Sequence, residues 1–161
     1  MFEVTEKDYS PIEAYPFGWR WTEKNRIDIP PHALSRIKPF TEEKARAAWD
    51  YAEGFQGKMY WTRFQEIDGY DINGRGSPDL DDEIRQWLAN TLPATPERVF
   101  ISWTEQMAVE TDRETFINYW DTFCYPVEDV VIWPQSERWV LLFDYKQRFY
   151  FAVEQTPNPE R

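Results

Sequence analysis

Of 161 residues only one is cysteine, one is histidine and six are glycine, and each scarcity removes a class of function. The lone Cys124 cannot close an intrachain disulfide, which sets aside the stapled secreted scaffold, and no Cys/His grouping has zinc spacing. His32, in "IPPHAL", is the sole imidazole, so histidine catalysis would rest on one residue in a proline turn. The glycines do not make a phosphate cradle, because "NGRGSPD" fits neither the Walker nor the dinucleotide spacing. No Lys/Arg run occurs, and no stretch approaches about eighteen apolar residues; nucleic-acid backbones and membranes are therefore poor partners. The start "MFEVTEKDYSPIEAYPFGWRW" lacks the apolar core of a signal peptide. The expected setting is the cytoplasm, with no metal and no cofactor.

What the chain has in abundance is rings and acid. Nine Trp, nine Tyr and eleven Phe predict a core built from large aromatic side chains, and a formal net charge of −11 predicts solubility and basic partners. The length suits one domain, 1–161. Residues 1–40 carry Pro11, Pro16, Pro30, Pro31 and Pro39 between aromatic clusters. They read as an extended arm that packs down through Phe17, Trp19, Trp21, Ile27 and Ile29. "TEEKARAAWDYAEG" reads as a helix capped by Thr41, buried along Ala45, Ala48, Trp49 and Ala52, and ended by Gly54. "KMYWTRFQEI" alternates with a period of two and reads as a strand, as does "VFISW". "TDRETFINYWDTFC" reads as a helix with a capping box from Thr111 to Glu114 and a buried side of Phe116, Trp120 and Phe123, with Ile117 and Cys124 beside them.

"DVVIW", "RWVLLFD" and "RFYFAVE" form a meander whose short connectors force antiparallel neighbours. The middle strand is apolar throughout, so helices are expected on one of its faces and the arm on the other. The tail, 155–161, reads as frayed. The fold class is α+β, with about three helices on a mainly antiparallel sheet.

"DGYDINGRGSPDLDDE", Asp68 to Glu83, places six acids in sixteen positions and resembles a calcium loop at first sight. With Gly74 at the turn position of an EF-hand, Asn73 and Asp71 fall on ligand positions, but Gly69 and Leu80 occupy the first and the bidentate ones. A turn at Asn73-Gly74 and a helix start explain the same residues: Ser77 as cap, Pro78 at the first position, and Asp79, Asp81, Asp82 and Glu83 near the positive helix end. Leu80, Ile84, Trp87 and Leu88 then make the apolar stripe.

Cys124 sits on the aromatic helix as a core residue, so catalysis by Cys124, His32 or an acid pair is the alternative reading, with carbohydrate binding a third. The leading one pairs acid with rings: Tyr70, Asp71, Asp79, Asp81, Asp82 and Glu83, joined by Glu110, Asp112 and the tips around Glu137 and Tyr145, suit recognition of a basic protein surface.

At "RIKPFTEEKARAAW" and "FINYWDTFCYPVEDVVIWPQSERWVLLF" the chain resembles a family of small bacterial proteins of unknown function. That resemblance runs from Phe17 to Phe143 and implies no catalytic residues. The acidic α+β build ending in "WVLLFD" is also similar in style to bacterial toxin-immunity proteins and the broad SMI1/KNR4-like group, although a clear version of that group's N-terminal helical motif is missing. This second resemblance implies an immunity-type inhibitor.

Overall fold

The computed structural model describes residues 1–22, 29–73 and 79–155. Its centre is a seven-stranded antiparallel sheet in the order β1-β4-β3-β5-β6-β7-β2. The strands are β1 (Lys38–Pro39), β2 (Phe64–Asp71), β3 (Arg98–Thr104), β4 (Met107–Asp112), β5 (Val130–Pro134), β6 (Trp139–Phe143) and β7 (Arg148–Glu154). The helices are α1 (Trp19–Thr22), α2 (Pro31–Leu34), α3 (Glu42–Gln56), α4 (Lys58–Arg63), α5 (Leu80–Thr91), α6 (Arg113–Asn118) and α7 (Trp120–Phe123). The α+β class and the C-terminal meander are as the sequence led us to expect. The helix count is not: seven α-helices lie among the described residues rather than about three, because several are single turns interrupted by proline or by a kink.

Alternation along the strands divides the core in two. Val99, Ile101, Ile132, Leu141, Phe149 and Phe151 point to one face, where α5, α6, α7 and the arm residues Tyr15, Trp21, Ala33 and Ile37 cover them. Phe100, Val131, Trp133, Val140 and Ala152 point to the other, under α3, α4 and Phe2. Helices therefore cover both faces of β6, and the arm contributes to each instead of forming one layer alone. Gly18 permits the arm's bend, since a Cβ there would stand 2.2 Å from the Ile12 carbonyl oxygen.

Several local expectations shift. Thr41 caps α3 by accepting from the Lys44 amide at 3.2 Å, but the helix runs past Gly54 to Gln56 and buries Phe55 in addition to Ala45, Ala48 and Ala52. A glycine at a helix end stops it only where the backbone turns there. The first half of "KMYWTRFQEI" is α4, and strand begins at Phe64. Thr111 belongs to β4, and Asp112 caps α6 by accepting from Thr115 N–H at 2.7 Å. The aromatic helix breaks at Tyr119 (φ −124°, ψ 31°) into α6 and α7. For α5, Asp79 stands at the N-cap; Gly74, Ser77 and Pro78 lie outside the described residues, as do Ile27 and 156–161. Gln155 is tied down, donating its N–H to the Arg63 carbonyl at 2.8 Å.

Both sheet edges are managed. At one, Ser10 N–H bonds the Pro39 carbonyl (2.8 Å) outside the two-residue β1. At the other, β2 bulges between Glu66 and Asp68, and the Asp68 carboxylate accepts the Gly69 N–H at 2.8 Å. A bulge, charges and a self-satisfied amide blunt an edge against pairing with other chains. Among the described residues no helix is long and apolar enough to cross a membrane.

Candidate functional site

The acids singled out in the sequence separate into two places. Helix α5 forms because Ile84 and Leu88 are fully buried, with Leu80 and Trp87 packed beside them, and its first turn carries acids where the helix dipole favours them. Asp79, Asp81, Asp82 and Glu83 are all exposed there. Asp82 pairs with Arg85 along the helix, and Glu83 accepts the Tyr70 hydroxyl at 3.4 Å. Tyr70 is buried, its ring 5.5 Å from that of Trp87, so it positions α5 against β2 more than it faces solvent.

A residue missed in the sequence joins this group. Asp121 of α7 lies beside α5, where the Trp120 indole N–H bonds the Asp81 carbonyl at 3.4 Å. Burial first and the Asp81 carboxylate second raise the Asp121 pKa above the usual carboxylate range, with Arg85 acting in the opposite sense. Neighbouring carboxylates thus work against each other here. A reader of the sequence could have placed Asp121 on the solvent side of α7, four residues ahead of Tyr125, but nothing local brings it to Asp81.

Asp71 belongs to the second place. It salt-bridges Arg148 at 2.9 Å and accepts the Asn73 N–H at 3.0 Å. Beside it, Asp144 accepts the Tyr150 hydroxyl at 3.0 Å, and both acids line a concavity of about 290 Å³ with the exposed Tyr145 at the hairpin tip. These carboxylates hold the β6–β7 hairpin to the end of β2.

Two further acids do not belong to any surface. Glu110 is 3 % exposed and takes Arg98 at 3.0 Å and the Tyr9 hydroxyl at 2.9 Å. Glu137 is equally buried, at a left-handed φ of 58°, and accepts from the Phe2 amide (3.1 Å), the Tyr51 hydroxyl and Arg63. Asp112 is spent as the α6 cap. The expectation that these acids form an outward rim is therefore corrected. A buried carboxylate needs partners, and here tyrosine and arginine supply them.

Among the described residues the groups of the catalytic alternative differ in exposure. Cys124 is buried, and burial, then Glu128, pushes its thiol well above the ordinary range, which disfavours the nucleophilic thiolate. His32 is exposed on α2. Among the described residues no three His, Cys, Asp or Glu side chains group to hold a metal.

Glu128 has a different role. With Tyr125, Pro126 and Val127 it makes a turn closed by its own N–H to the Tyr125 carbonyl at 3.3 Å. Its carboxylate grips Arg20 through both guanidinium ends (3.1 and 2.7 Å), while the guanidinium lies between the Phe17 and Tyr125 rings at 3.8 and 3.9 Å. Arg20 is 4 % exposed, so this clamp fixes the arm to the body.

Comparison of the chain with protein-family models, curated proteins and solved structures finds no match. The resemblances drawn above stand on their quoted segments alone.

Proposed function

We propose that the chain is a cytoplasmic protein-binding module, of the immunity-inhibitor type, whose α5–α7 face covers a basic surface of a partner protein. The observation that carries this reading is the crowding of Asp79, Asp81, Asp82, Glu83 and Asp121 around the start of α5, close enough that Asp81 contributes to raising the Asp121 pKa. Helix-dipole stabilisation needs one or two acids in the first turn, and the surplus makes a negative field suited to steering a cationic partner. The single cysteine fits a reducing compartment.

The test is to capture a partner from native lysate with the wild-type chain and measure its association with wild type and with Asp81→Asn/Asp82→Asn at low and moderate salt. The expected result is an on-rate several-fold slower and less salt-dependent for the variant, with Tm nearly unchanged. Equal on-rates at both salts would return these acids to the role of a helix start.

A further inference from the structure

The β1 edge of the sheet carries a groove the acidic face does not include. Six strand spacings, roughly 30 Å, separate β1 from β2. Between the arm and α2 lies a concavity of about 470 Å³ whose walls are Tyr9, Ile12, Pro31, Leu34, Ile37 and Pro39. Glu6 and Glu13 stand at it from the arm, both exposed, and neither makes an ion pair or a side-chain hydrogen bond among the described residues. Among the described residues on its wall the one cation is Lys38, whose ammonium is 5.3 Å from the centre of the Tyr9 ring.

We propose that this groove receives a lysine or arginine side chain from an extended basic segment of a partner protein. Long cationic side chains carry an apolar stem and a charged head, and the groove offers apolar walls for the stem and two uncommitted carboxylates for the head. Its volume is in the range of ligand pockets and exceeds one side chain, leaving room for the backbone that bears it. An acidic segment would meet Glu6 and Glu13 as like charges, and so would a second copy of this chain presenting its own acidic surface. The proposal takes the partner's basic character from the reading above and adds a second, separate contact.

The groove can be tested without the partner. A pentapeptide with the sequence Ac-Ala-Leu-Arg-Leu-Ala-NH2, and its counterpart with glutamate in place of arginine, would be titrated into the full chain followed by amide NMR. The expected result is saturable shifts confined to Glu6, Tyr9, Ile12, Glu13, Leu34 and Lys38 with the arginine peptide only. Removing the two rim charges in Glu6→Gln/Glu13→Gln should weaken that binding roughly three- to tenfold, the range for two partly exposed ion pairs, without changing Tm. Asp81→Asn/Asp82→Asn should leave it unchanged. Shifts centred on residues 79–83 would overturn the groove while sparing the α5 reading. Equal binding of the glutamate peptide, indifference to the Glu6→Gln/Glu13→Gln change, or no localised shift would each overturn it outright.

Discussion

Replacing Arg20 by Met keeps most of the apolar stem and removes only the guanidinium, which isolates the clamp between arm and body. The charge lost sits at 4 % exposure, between two rings and against a carboxylate that is itself 21 % exposed. Breaking a buried pair by removing one partner costs about 3–5 kcal/mol, and here the lower end applies because Glu128 can rehydrate and still accepts the Tyr125 N–H at 3.3 Å. The expected loss is therefore about 3 kcal/mol, or a fall in Tm of roughly 6–12 °C for a chain of this size. Glu128→Gln should cost at least as much, since it strands a more deeply buried cation. Arg20→Lys should not rescue, because an ammonium cannot make the two parallel bonds or stack flat on Phe17 and Tyr125. Urea unfolding followed by tryptophan fluorescence would measure all of these. The double variant should show a coupling of at least about 2 kcal/mol; additivity within about 0.5 kcal/mol would refute the clamp.

Four more perturbations bear on the same architecture. Val127, 83 % exposed at φ 64°, is a β-branched residue in the left-handed region, so Val127→Gly should stabilise by about 1 kcal/mol in the same denaturation assay; a loss would mean the side chain is in use. Glu137 also has positive φ, but its carboxylate is buried and engaged: Glu137→Ala should cost about 2–4 kcal/mol and Glu137→Gly less than that, an order that would be reversed if backbone strain were unimportant. Asp121 has a folded pKa raised above its unfolded value, so its ionised form opposes folding above the folded pKa and that cost disappears as pH falls toward the unfolded pKa. Asp121→Asn should accordingly be more stable than wild type near pH 7, with the difference closing on acidification; a pH-independent difference would contradict the assignment. Cys124 should resist maleimide until the chain unfolds, and Cys124→Ala should cost about 1 kcal/mol, whereas rapid native labelling would show an open thiol.

Helix α3 and the strands β5 to β7 were legible in the sequence because a single local period decides them. Ala45, Ala48 and Ala52 fall on one helical side, and Trp139 to Phe143 with short flanking turns leave little but an antiparallel strand. "KMYWTRF" was not legible, since Tyr60 and Phe64 are four apart as well as an even number apart, and packing under Phe55 on the α3 side selects the helical period up to Arg63. β4 was hidden for a related reason. Its residues Ala108 to Thr111 are buried between β1 and β3, so burial on both sides suppresses the alternation that marks an exposed strand.

The acidic residues were legible as charge but not as surface. Glu110 pairs with Arg98 in the neighbouring strand, Glu137 with Arg63 across 74 residues, and Glu128 with Arg20 across 108, distances over which no spacing rule operates. Each of these buried or half-buried carboxylates takes an arginine with it. Of these arginines only Arg20 is itself buried; Arg98 and Arg63 reach in from the surface, with 42 % and 34 % of their side chains exposed, in a chain that has only 18 lysines and arginines against 29 acids. Around the start of α5, Arg85 is engaged with Asp82, and Glu83 accepts the Tyr70 hydroxyl. The four α5 acids and the Glu6–Glu13 pair are exposed, whereas Glu110 and Glu137 are buried and bound to tyrosine and arginine, which is why charge removal at the first two places, and not at Glu110 or Glu137, separates binding from stability.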